Sequence, residues 1–587
     1  MRVTRLRTAV LVGLAGALVA GGAVATAAPA APAPKAFDYT KIAGLSQPSG
    51  AKIEKTVVQV PAHDGKLLYL EITKPAGKKK LPVVLEASPY HGPLGDRDGT
   101  RILPDPKDAD GKALGLTGFF APRGYAVVMM DLRGTGRSQG CLDHLGPNDA
   151  KDLKTVVEWA ASQPWSNGRV GMTGHSYVGS TPMVAAAQNP RGLATIVPSA
   201  GLASMYDHQF QGGVPFNAQY AGPIAAYELI ALNRSLPPGF NTGVGGTTGD
   251  NFGKDPQETG CGLTSSAALA GTGQVTGQYE KWHAERDSSK GVTAAKIPTF
   301  LVHGVNDNAA RITAADWFMD RGARAGDKAW IGQWDHGSGF APTRRGIQWP
   351  YALLSWFDKH LKNKNVSTGP AAEVFMNDSP TFAGAKTDDG EREVLIASGY
   401  PAAKPSLQLF PSADGSLVAS SPVEGAASFT GDARGQLGQP TGKVSWATPP
   451  LTRDLVLAGM PELTMTASVT SPQVHLIANL LDRSPDGTTR RISQFSLNPL
   501  LRGGLDKITP VTPGAPMTMT LPAMAMGHRL AKGHALVFEV RASDPDKIAS
   551  TAMDPRITVL TGAKATSLRL PVVSAPRIAR DRLVTTE

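Results

Sequence analysis

The chain has 587 residues, of which 41% are hydrophobic and 18% charged, so it is globular and too long for one ordinary domain. This composition excludes a disordered chain. The formal net charge is +10, but apart from the lysine triplet at 78–80 no basic cluster interleaved with aromatics accompanies it. We therefore predict no nucleic-acid partner.

The N-terminus has the features of an export signal. Three arginines within the first seven residues precede an apolar run over 9–25, and the small residues at 25–27 form a cleavage site. The alternative is a membrane anchor, but the run is short for a spanning helix and rich in glycine and alanine. The sequence therefore predicts a signal peptide over 1–27, a flexible segment over 28–50 and a secreted protein, free or attached to the cell envelope, with no stable membrane insertion.

Buried strands and amphipathic helices alternate through the first two thirds of the chain. After an antiparallel pair at 57–60 and 67–73, apolar strands are predicted over 81–87, 125–131, 169–173, 193–198, 298–303 and 329–333. Helices are predicted over 148–163, 177–188, 312–323 and 349–361. This alternation is typical of a mostly parallel sheet covered by helices on both faces.

Two stretches depart from this alternation. The stretch 205–290 is predicted to be an inserted, largely helical cap, which divides the α/β domain into parts at 51–204 and 291–366. From 371 onward the helix signals stop, and short alternating strands are separated by Gly, Pro and Asp turns. This pattern predicts a C-terminal β-sandwich or jelly roll over 371–587.

Neither a metal nor a cofactor is predicted. The two cysteines, Cys141 and Cys261, fit no metal-site spacing. A secreted location permits a disulfide between them, the alternative being two unpaired buried thiols. The glycine-rich loop 131–140 lacks the Gly-Lys-Ser/Thr of a P-loop, and we expect Asp131 and Arg133 to form a structural ion pair within it.

The segment Gly174-His-Ser-Tyr-Val-Gly179 is the candidate nucleophile turn. A predicted strand precedes Ser176 and a predicted helix follows it, which is the setting that exposes a serine hydroxyl at the edge of a sheet. Small residues must flank such a turn, yet position 178 is Val and the second glycine falls at 179. The usual G-x-S-x-G pattern is not met, so the context supports Ser176 more than the motif does.

An acid and a base are expected at the ends of later strands, in the order Ser, Asp, His that α/β-hydrolases use. Asp307 follows the predicted strand over 298–303, and His336 follows the one over 329–333. Asp307 would accept a hydrogen bond from Nδ1–H of His336, whose Nε2 then faces Ser176. The rival candidates are His303, expected to pack in the sheet, His175, expected to point away from the serine oxygen, and Asp335 as an alternate acid.

Two donors are expected for the oxyanion of a tetrahedral intermediate. One is the backbone N–H of Tyr177, directly after the nucleophile. The other is the phenol of Tyr90, in the loop that follows the strand over 81–87. The alternative for Tyr90 is a ring that only packs the loop, and His91 is equally open between a donor and a loop-shaping residue.

Several motifs resemble those of the X-Pro dipeptidyl-peptidase and cocaine esterase family of α/β-hydrolases. Residues 174–179 resemble its G-x-S-Y-x-G elbow, residues 131–140 its D-x-R-G-x-G-x-S-x-G loop, and residues 279–287 its W-x-x-R segment. Tyr90 stands where the family carries its oxyanion tyrosine. The resemblance runs from about residue 52 to the C-terminus and implies a C-terminal jelly roll.

Two stretches, 192–207 and 303–307, resemble the proline-specific peptidases of this family more than its esterases. The resemblance implies release of N-terminal Xaa-Pro dipeptides, with candidate ligands for the substrate's α-ammonium at Asp207, Tyr206 and Glu228. Two alternatives stay open, an esterase or β-lactam or amino-acid-ester acylase of the same family, and a non-catalytic glycan- or envelope-binding protein. The oligomeric state is not predicted.

Overall fold

The computed structural model describes residues 35–77, 79–91, 97–217, 227, 277–336, 347–376, 391–431, 442–548, 550, 552 and 554–582. The predicted signal peptide over 1–27 lies outside this range, as does most of the predicted cap. Two candidate residues, Glu228 and Cys261, also lie outside the described residues.

The strands are β1 Ile53–Pro61, β2 Leu67–Pro75, β3 Leu81–Ser88, β4 Ala126–Asp131, β5 Ser166–His175, β6 Leu193–Ser199, β7 Phe210–Gln211, β8 Val214–Pro215, β9 Phe300–Gly304, β10 Lys328–Gly332, β11 Ala372–Met376, β12 Glu391–Ala397, β13 Leu407–Pro411, β14 Leu417–Val418, β15 Gly425–Thr430, β16 Lys443–Ala447, β17 Leu455–Gly459, β18 Glu462–Val469, β19 Leu476–Arg483, β20 Thr489–Leu497, β21 Met517–Leu521, β22 Met526–Leu530, β23 Ala535–Arg541, β24 Arg556–Thr561, β25 Ser567–Leu570 and β26 Arg577–Arg582.

The α-helices are α1 Gly115–Phe120, α2 Pro147–Ser162, α3 Tyr177–Ala187, α4 Met205–Gln209, α5 Lys281–Ala284, α6 Ser289–Ala294, α7 Asp316–Asp320 and α8 Gln348–Lys362. Short 3₁₀ turns lie at Tyr39–Lys41, Ala121–Arg123, Ile312–Ala315 and Pro499–Leu501. The helix predicted over 312–323 is therefore a 3₁₀ turn followed by α7. No helix among the described residues is both long enough and apolar enough to cross a membrane.

The main sheet has eleven strands in the order β1-β2-β4-β3-β5-β6-β9-β10-β11-β12-β26. The seven strands from β4 to β11 run parallel, and the flanking pairs are antiparallel. Every residue of β3 is buried: Val83 and Leu85 pack in one apolar layer with α2 and α3, and Val84 packs in the other with α1 and α8. Burial on both faces explains why these strands form continuous apolar runs.

The boundary predicted at residue 371 is wrong for three strands. β11 pairs in parallel with β10, β12 pairs with β11, and β26 pairs with β12, so all three extend the main sheet rather than the C-terminal unit. Helix α8 is the crossover that returns the chain to the sheet beside β10. All five residues of β11 are buried, and a run this short occurs in either kind of domain, so only the pairing assigns it.

The prediction of a flexible segment over 28–50 is wrong for residues 35–50. Tyr39 is fully buried and donates a hydrogen bond to Glu373, while Lys328 donates to the Tyr39 hydroxyl at 2.7 Å. Ser46 donates from its backbone N–H and its hydroxyl to Asp358, both at 2.6 Å. The segment is therefore anchored on β10, β11 and α8 by buried polar contacts.

The C-terminal domain is β-rich, as predicted. A sheet in the order β14-β13-β25-β18-β24-β15, with β21 on β18, faces a second sheet in the order β16-β23-β19-β20. Their inward residues form one apolar core that includes Trp446, Met465 and Phe538. The domain contacts the end of β10, where the Gln333 amide donates to the Gly527 carbonyl at 3.0 Å. It therefore lies close to the loop that carries His336.

Candidate active site

Ser176 lies at the junction of β5 and α3, where the chain turns sharply. Its backbone has φ 65° and ψ −130°, outside the usual regions for a residue with a side chain. The N–H of Ser176 donates to the Ser199 carbonyl at 3.0 Å, which ties the turn to the neighbouring strand β6. Such strain is kept only where surrounding contacts enforce it, and here it presents the hydroxyl at the carboxyl edge of the parallel strands.

The two glycines of the motif explain the unusual spacing. A Cβ on Gly174 would lie 2.4 Å from Cγ1 and from the carbonyl oxygen of Val178, and a Cβ on Gly179 would lie 2.2 Å from the Ser199 carbonyl oxygen. The close approach of α3 to β6 therefore occurs at position 179. This explains why position 178 tolerates valine although the usual pattern places glycine there.

Three side chains far apart in sequence meet at this turn. The Nε2 atom of His336 lies 2.8 Å from Oγ of Ser176, and its Nδ1 atom lies 2.8 Å from Oδ2 of Asp307. With Nδ1–H donating to the carboxylate, Nε2 is the acceptor for the serine proton. The structure thus brings together the nucleophile, base and acid predicted from the sequence.

The Asp307 carboxylate is held on both of its oxygens. Oδ1 accepts the backbone N–H groups of Ala309 at 2.8 Å and Ala310 at 2.7 Å, which leaves Oδ2 for His336. Burial raises the pKa of Asp307, but His336 and these hydrogen bonds outweigh it, so the net pKa is lowered. Burial lowers the pKa of His336, but the Asp307 charge and hydrogen bond outweigh it, so the net pKa is raised.

The rival candidates have other positions. His303 is fully buried in β9, and its Nε2–H donates to the Ala310 carbonyl at 2.8 Å, so it shapes the loop that holds Asp307. His175 lies beside the His336 ring, with 4.8 Å between ring centroids, and burial, followed by His336, lowers its pKa to about 3. Asp307 is the carboxylate that contacts His336. Asp335 lines a cavity of about 250 Å³ that Asp307 also borders.

The Tyr90 hydroxyl lies at the nucleophile, together with a second phenol that the sequence analysis missed. Tyr90 and Tyr227 have their hydroxyl oxygens 2.8 Å apart. Burial raises the pKa of each phenol, and the nearby Ser176 side chain acts against that rise. The N–H of Tyr177 is the first backbone donor of α3 and has no acceptor within the helix by geometry. Both predicted oxyanion donors, Tyr90 and Tyr177, therefore border the serine hydroxyl.

Comparison with known families agrees with this site. The model of the X-Pro dipeptidyl-peptidase S15 family matches residues 64–338, and that of the X-Pro dipeptidyl-peptidase C-terminal non-catalytic domain matches residues 379–570. Residues 64–338 therefore form a domain of the S15 family of α/β-hydrolases. The chain is accordingly a serine hydrolase, and the family resemblance inferred from its motifs is confirmed.

Curated relatives cover most of the chain. A putative Xaa-Pro dipeptidyl-peptidase of Streptomyces avermitilis is 28% identical over 84% of this chain and 78% of the relative. One from Bacillus anthracis is 26% identical over 84% of this chain and 82% of the relative. A cocaine esterase of a Rhodococcus species is 32% identical, but only over 30% of this chain and 26% of that protein.

Solved structures show the same fold. A CocE/NonD family hydrolase of Staphylococcus aureus has a TM-score of 0.67 at 19% identity and covers 93% of this chain and 99% of its own. An α-amino acid ester hydrolase has a TM-score of 0.66 at 19% identity and covers 90% of this chain and 98% of its own. At this identity the likeness establishes the α/β-hydrolase fold with its β-rich C-terminal domain.

The family's glycine-rich loop is held by ion pairs other than the predicted one. Arg133 forms a bidentate pair with Asp152 of α2 at 2.7 and 2.9 Å, whereas Asp131 contacts Arg97 at 3.2 Å and His91 at 3.1 Å. The expected pair between Asp131 and Arg133 is therefore wrong. Their side chains leave the loop in opposite directions, and the sequence alone does not show this.

The family's W-x-x-R segment is structural in this protein. The Arg286 guanidinium stacks on the Trp282 ring at 4.5 Å and donates to Asp143 at 2.8 Å. Asp143 also accepts the N–H of Asn148 at 2.7 Å, at the start of α2. The segment thus anchors the region before α6 to the loop that precedes α2.

Of the predicted ligands for a substrate ammonium, the structure describes Tyr206 and Asp207, and both have other neighbours. Tyr206 is fully buried, stacks on Phe210 and donates to the Gly277 carbonyl at 2.6 Å, which makes it a packing residue. Burial, then Asp287, raises the pKa of Asp207 to about 7, which places this carboxyl among other acids. One residue further on, burial and then the charge of His336 lower the pKa of His208 to about 4.

Two other predictions concern cysteines and metals. Cys141 is disulfide-bonded, whereas its predicted partner Cys261 lies outside the described residues. In the described parts of the chain, no cluster of three or more histidine, cysteine or acidic side chains could hold a metal ion.

The loop that carries Tyr90 is supported by a buried histidine. His91 lies between Asp131, 3.1 Å from its Nδ1, and Glu86, 3.2 Å from its Nε2. Burial lowers the pKa of His91, but hydrogen bonds to the two carboxylates outweigh it and raise the pKa to about 9. His91 is therefore a buried cation at neutral pH and shapes the loop beside Tyr90.

Substituting His91→Asn should lower the free energy of unfolding by about 3 kcal/mol near pH 6, because a buried carboxylate loses its charged partner. Since the folded-state pKa of about 9 exceeds the ordinary 6.5, this stabilisation is complete below pH 6.5 and is lost as pH rises through 9. Urea unfolding of both proteins between pH 6 and pH 10 measures the difference. A constant difference over that range would contradict a charged His91.

Proposed function

We propose that this serine hydrolase releases N-terminal Xaa-Pro dipeptides from peptides through an acyl-enzyme on Ser176. The observation that carries the proposal is the pair of 2.8 Å contacts that link Ser176, His336 and Asp307 in a domain of the S15 family. The names of the curated relatives that span most of the chain point to the same substrate class.

Acylation follows from this geometry. Oγ of Ser176 attacks the carbonyl carbon of the proline residue, and Nε2 of His336 takes the hydroxyl proton. The Asp307 carboxylate stabilises the imidazolium that forms. The Tyr90 hydroxyl and the Tyr177 N–H donate to the oxyanion, and His336 then gives its proton to the leaving amine as the C–N bond breaks.

Deacylation reverses these roles with water as the nucleophile. His336 takes a proton from water, the hydroxide adds to the acyl carbon, and the same two donors hold the second oxyanion. Collapse releases the dipeptide carboxylate and returns the proton to Oγ of Ser176. Acylation and deacylation both need one neutral imidazole and two fixed oxyanion donors, which His336, Tyr90 and Tyr177 supply.

A second candidate is hydrolysis of small esters, including amino-acid esters. The similarity of 30% of the chain to part of a cocaine esterase favours it. The two activities differ in the leaving group: an amide nitrogen must be protonated before it departs, and an alkoxide or phenoxide is the better leaving group. A non-catalytic binding role is set aside, because the chain is a serine hydrolase.

Paired substrates distinguish these candidates. We expect the protein to cleave Ala-Pro-p-nitroanilide at least about tenfold more efficiently, in kcat/KM, than Ala-Ala-p-nitroanilide, because a proline pocket discriminates by ring shape. N-acetyl-Ala-Pro-p-nitroanilide should be a poor substrate if the free amine is recognised. Phenyl acetate serves as the ester. Turnover of the ester with none of the Ala-Pro amide would reject the peptidase and leave the esterase.

We also propose that the protein is exported and cleaved after Ala27. The basic start, apolar run and small-residue site at 25–27 support this. N-terminal sequencing of the protein recovered from culture medium and from the cell envelope should begin at Ala28. Retention of residues 1–27 on a cytoplasmic protein would reject export.

A further inference from the structure

Ser176 faces two phenols, and only one of them was expected. The Tyr227 hydroxyl lies 2.8 Å from the Tyr90 hydroxyl, and the nearby Ser176 side chain lowers the pKa of both phenols against the larger effect of burial. The Tyr227 ring packs edge-on against the Tyr177 ring, with 4.6 Å between centroids. Tyr227 therefore contacts both residues that supply oxyanion donors.

Each phenol has one proton, so the hydrogen bond between the two hydroxyls runs in one of two directions. If Tyr90 donated to Tyr227, its proton would not be available to a substrate oxygen. If Tyr227 donates to Tyr90, the Tyr90 proton remains free for the oxyanion. The Arg101 guanidinium lies over the Tyr90 ring, 4.7 Å from its centroid, and its positive charge makes the Tyr90 hydroxyl a stronger donor to an oxyanion.

We propose that Tyr227 is a positioning residue of the oxyanion hole: it donates its hydroxyl proton to the Tyr90 oxygen and so aims and strengthens the Tyr90 hydroxyl as a donor. A hydroxyl that accepts a hydrogen bond is a better donor, because the two bonds polarise each other. The proposal rests on the proposed acyl transfer at Ser176 but not on a preference for proline.

Both phenols keep their protons at neutral pH, because burial raises the pKa of Tyr90 and of Tyr227 above the ordinary value of 10. Each therefore has one proton to donate, and the Tyr90 proton serves the oxyanion when Tyr227 donates to the Tyr90 oxygen.

A double-mutant cycle tests whether Tyr227 acts through Tyr90. With phenyl acetate as substrate, Tyr90→Phe should lower kcat by about 10²-fold, the usual effect of removing one oxyanion donor. Tyr227→Phe should lower kcat by about tenfold with little change in KM, because Tyr90 stays but is less well aimed and polarised. In the double variant, kcat should stay within about twofold of Tyr90→Phe alone, since nothing is left for Tyr227 to position.

Three results would overturn the proposal. A double variant whose loss is the product of the two single losses would make Tyr227 an independent donor. A Tyr227→Phe variant with wild-type kcat would show that the bond does not matter, and a Tyr90→Phe variant with wild-type kcat would remove the group on which Tyr227 acts. Phenylalanine keeps both rings, and a matched control is Tyr400→Phe, which removes a buried hydroxyl that donates to the Met526 carbonyl at 2.9 Å, away from the site.

A second readout separates this proposal from the proposed function. The rate at which a fluorophosphonate labels Ser176 depends on the oxyanion donors and not on proline recognition. Tyr227→Phe should slow labelling, and Tyr400→Phe should not. If Ala-Pro amides are not cleaved while labelling and ester turnover follow this pattern, the peptidase proposal fails and the Tyr227 proposal stands.

Discussion

Replacing Ser176 by alanine should lower kcat by about 10⁵-fold or more, the loss expected when a serine hydrolase loses its nucleophile. No other hydroxyl can replace it, because the turn at φ 65° presents this Oγ to Nε2 of His336 at 2.8 Å. Turnover of phenyl acetate by the purified variant measures the loss. KM is not informative here, since the residual rate no longer passes through an acyl-enzyme.

The control must show that the alanine variant is folded. Its melting temperature should match the wild type, because the serine side chain is only partly buried and no helix cap depends on it. Ser355→Ala is a matched substitution in α8, where the hydroxyl donates to the Ala352 carbonyl at 2.8 Å, and it should keep full activity and labelling. A Ser176→Ala variant that retains a few per cent of activity or still takes up a fluorophosphonate would reject Ser176 as the nucleophile.

Replacing Asp307 by asparagine should lower kcat by about 10³ to 10⁴-fold without unfolding the site. Oδ1 of Asp307 accepts two backbone N–H groups at 2.8 and 2.7 Å, so the asparagine must place its carbonyl oxygen there. Its NH₂ group then faces Nδ1 of His336. Nδ1 becomes an acceptor, the imidazole proton moves to Nε2, and Nε2 can no longer accept the serine proton.

The pH profile provides an independent readout of the same variant. His336 must be neutral to act as base, and its pKa lies above the ordinary 6.5 because Asp307 outweighs burial. In the wild type kcat/KM should therefore fall as pH drops through a pKa above 6.5. In Asp307→Asn the acid limb of the residual activity should move to lower pH, since burial remains and the charge is gone.

Asp335→Asn is the matched control for both measurements. This substitution removes the carboxylate next to His336 in sequence and leaves the Asp307 carboxylate, which contacts the imidazole. Its kcat should stay within about threefold of the wild type, with a small shift of the acid limb, because the charge of Asp335 raises the pKa of His336 less than the charge and hydrogen bond of Asp307 do. A loss in Asp335→Asn as large as in Asp307→Asn would reassign the acid.

The sequence alone predicted those features of the fold and the site that depend on patterns within a short stretch of chain. Continuous apolar runs predicted the buried parallel strands, and their carboxyl ends predicted that Ser176, Asp307 and His336 would meet, because all parallel strands end at one edge. The short alternating strands after residue 400 predicted a second, β-rich unit. These predictions use only the period of the hydrophobic pattern along the chain and the direction of the strands.

The tertiary structure decided everything that depends on where side chains point and which segments pair. The sequence could not assign β11 and β12 to the main sheet, since the strand pairing that places them there is not visible in a short strand pattern. It could not show that Tyr206 packs inward, that Arg133 pairs with Asp152, or that Tyr227 reaches Tyr90 across 137 positions. Contacts between residues so distant in sequence are selected by the packing of whole elements, and no local pattern encodes that packing.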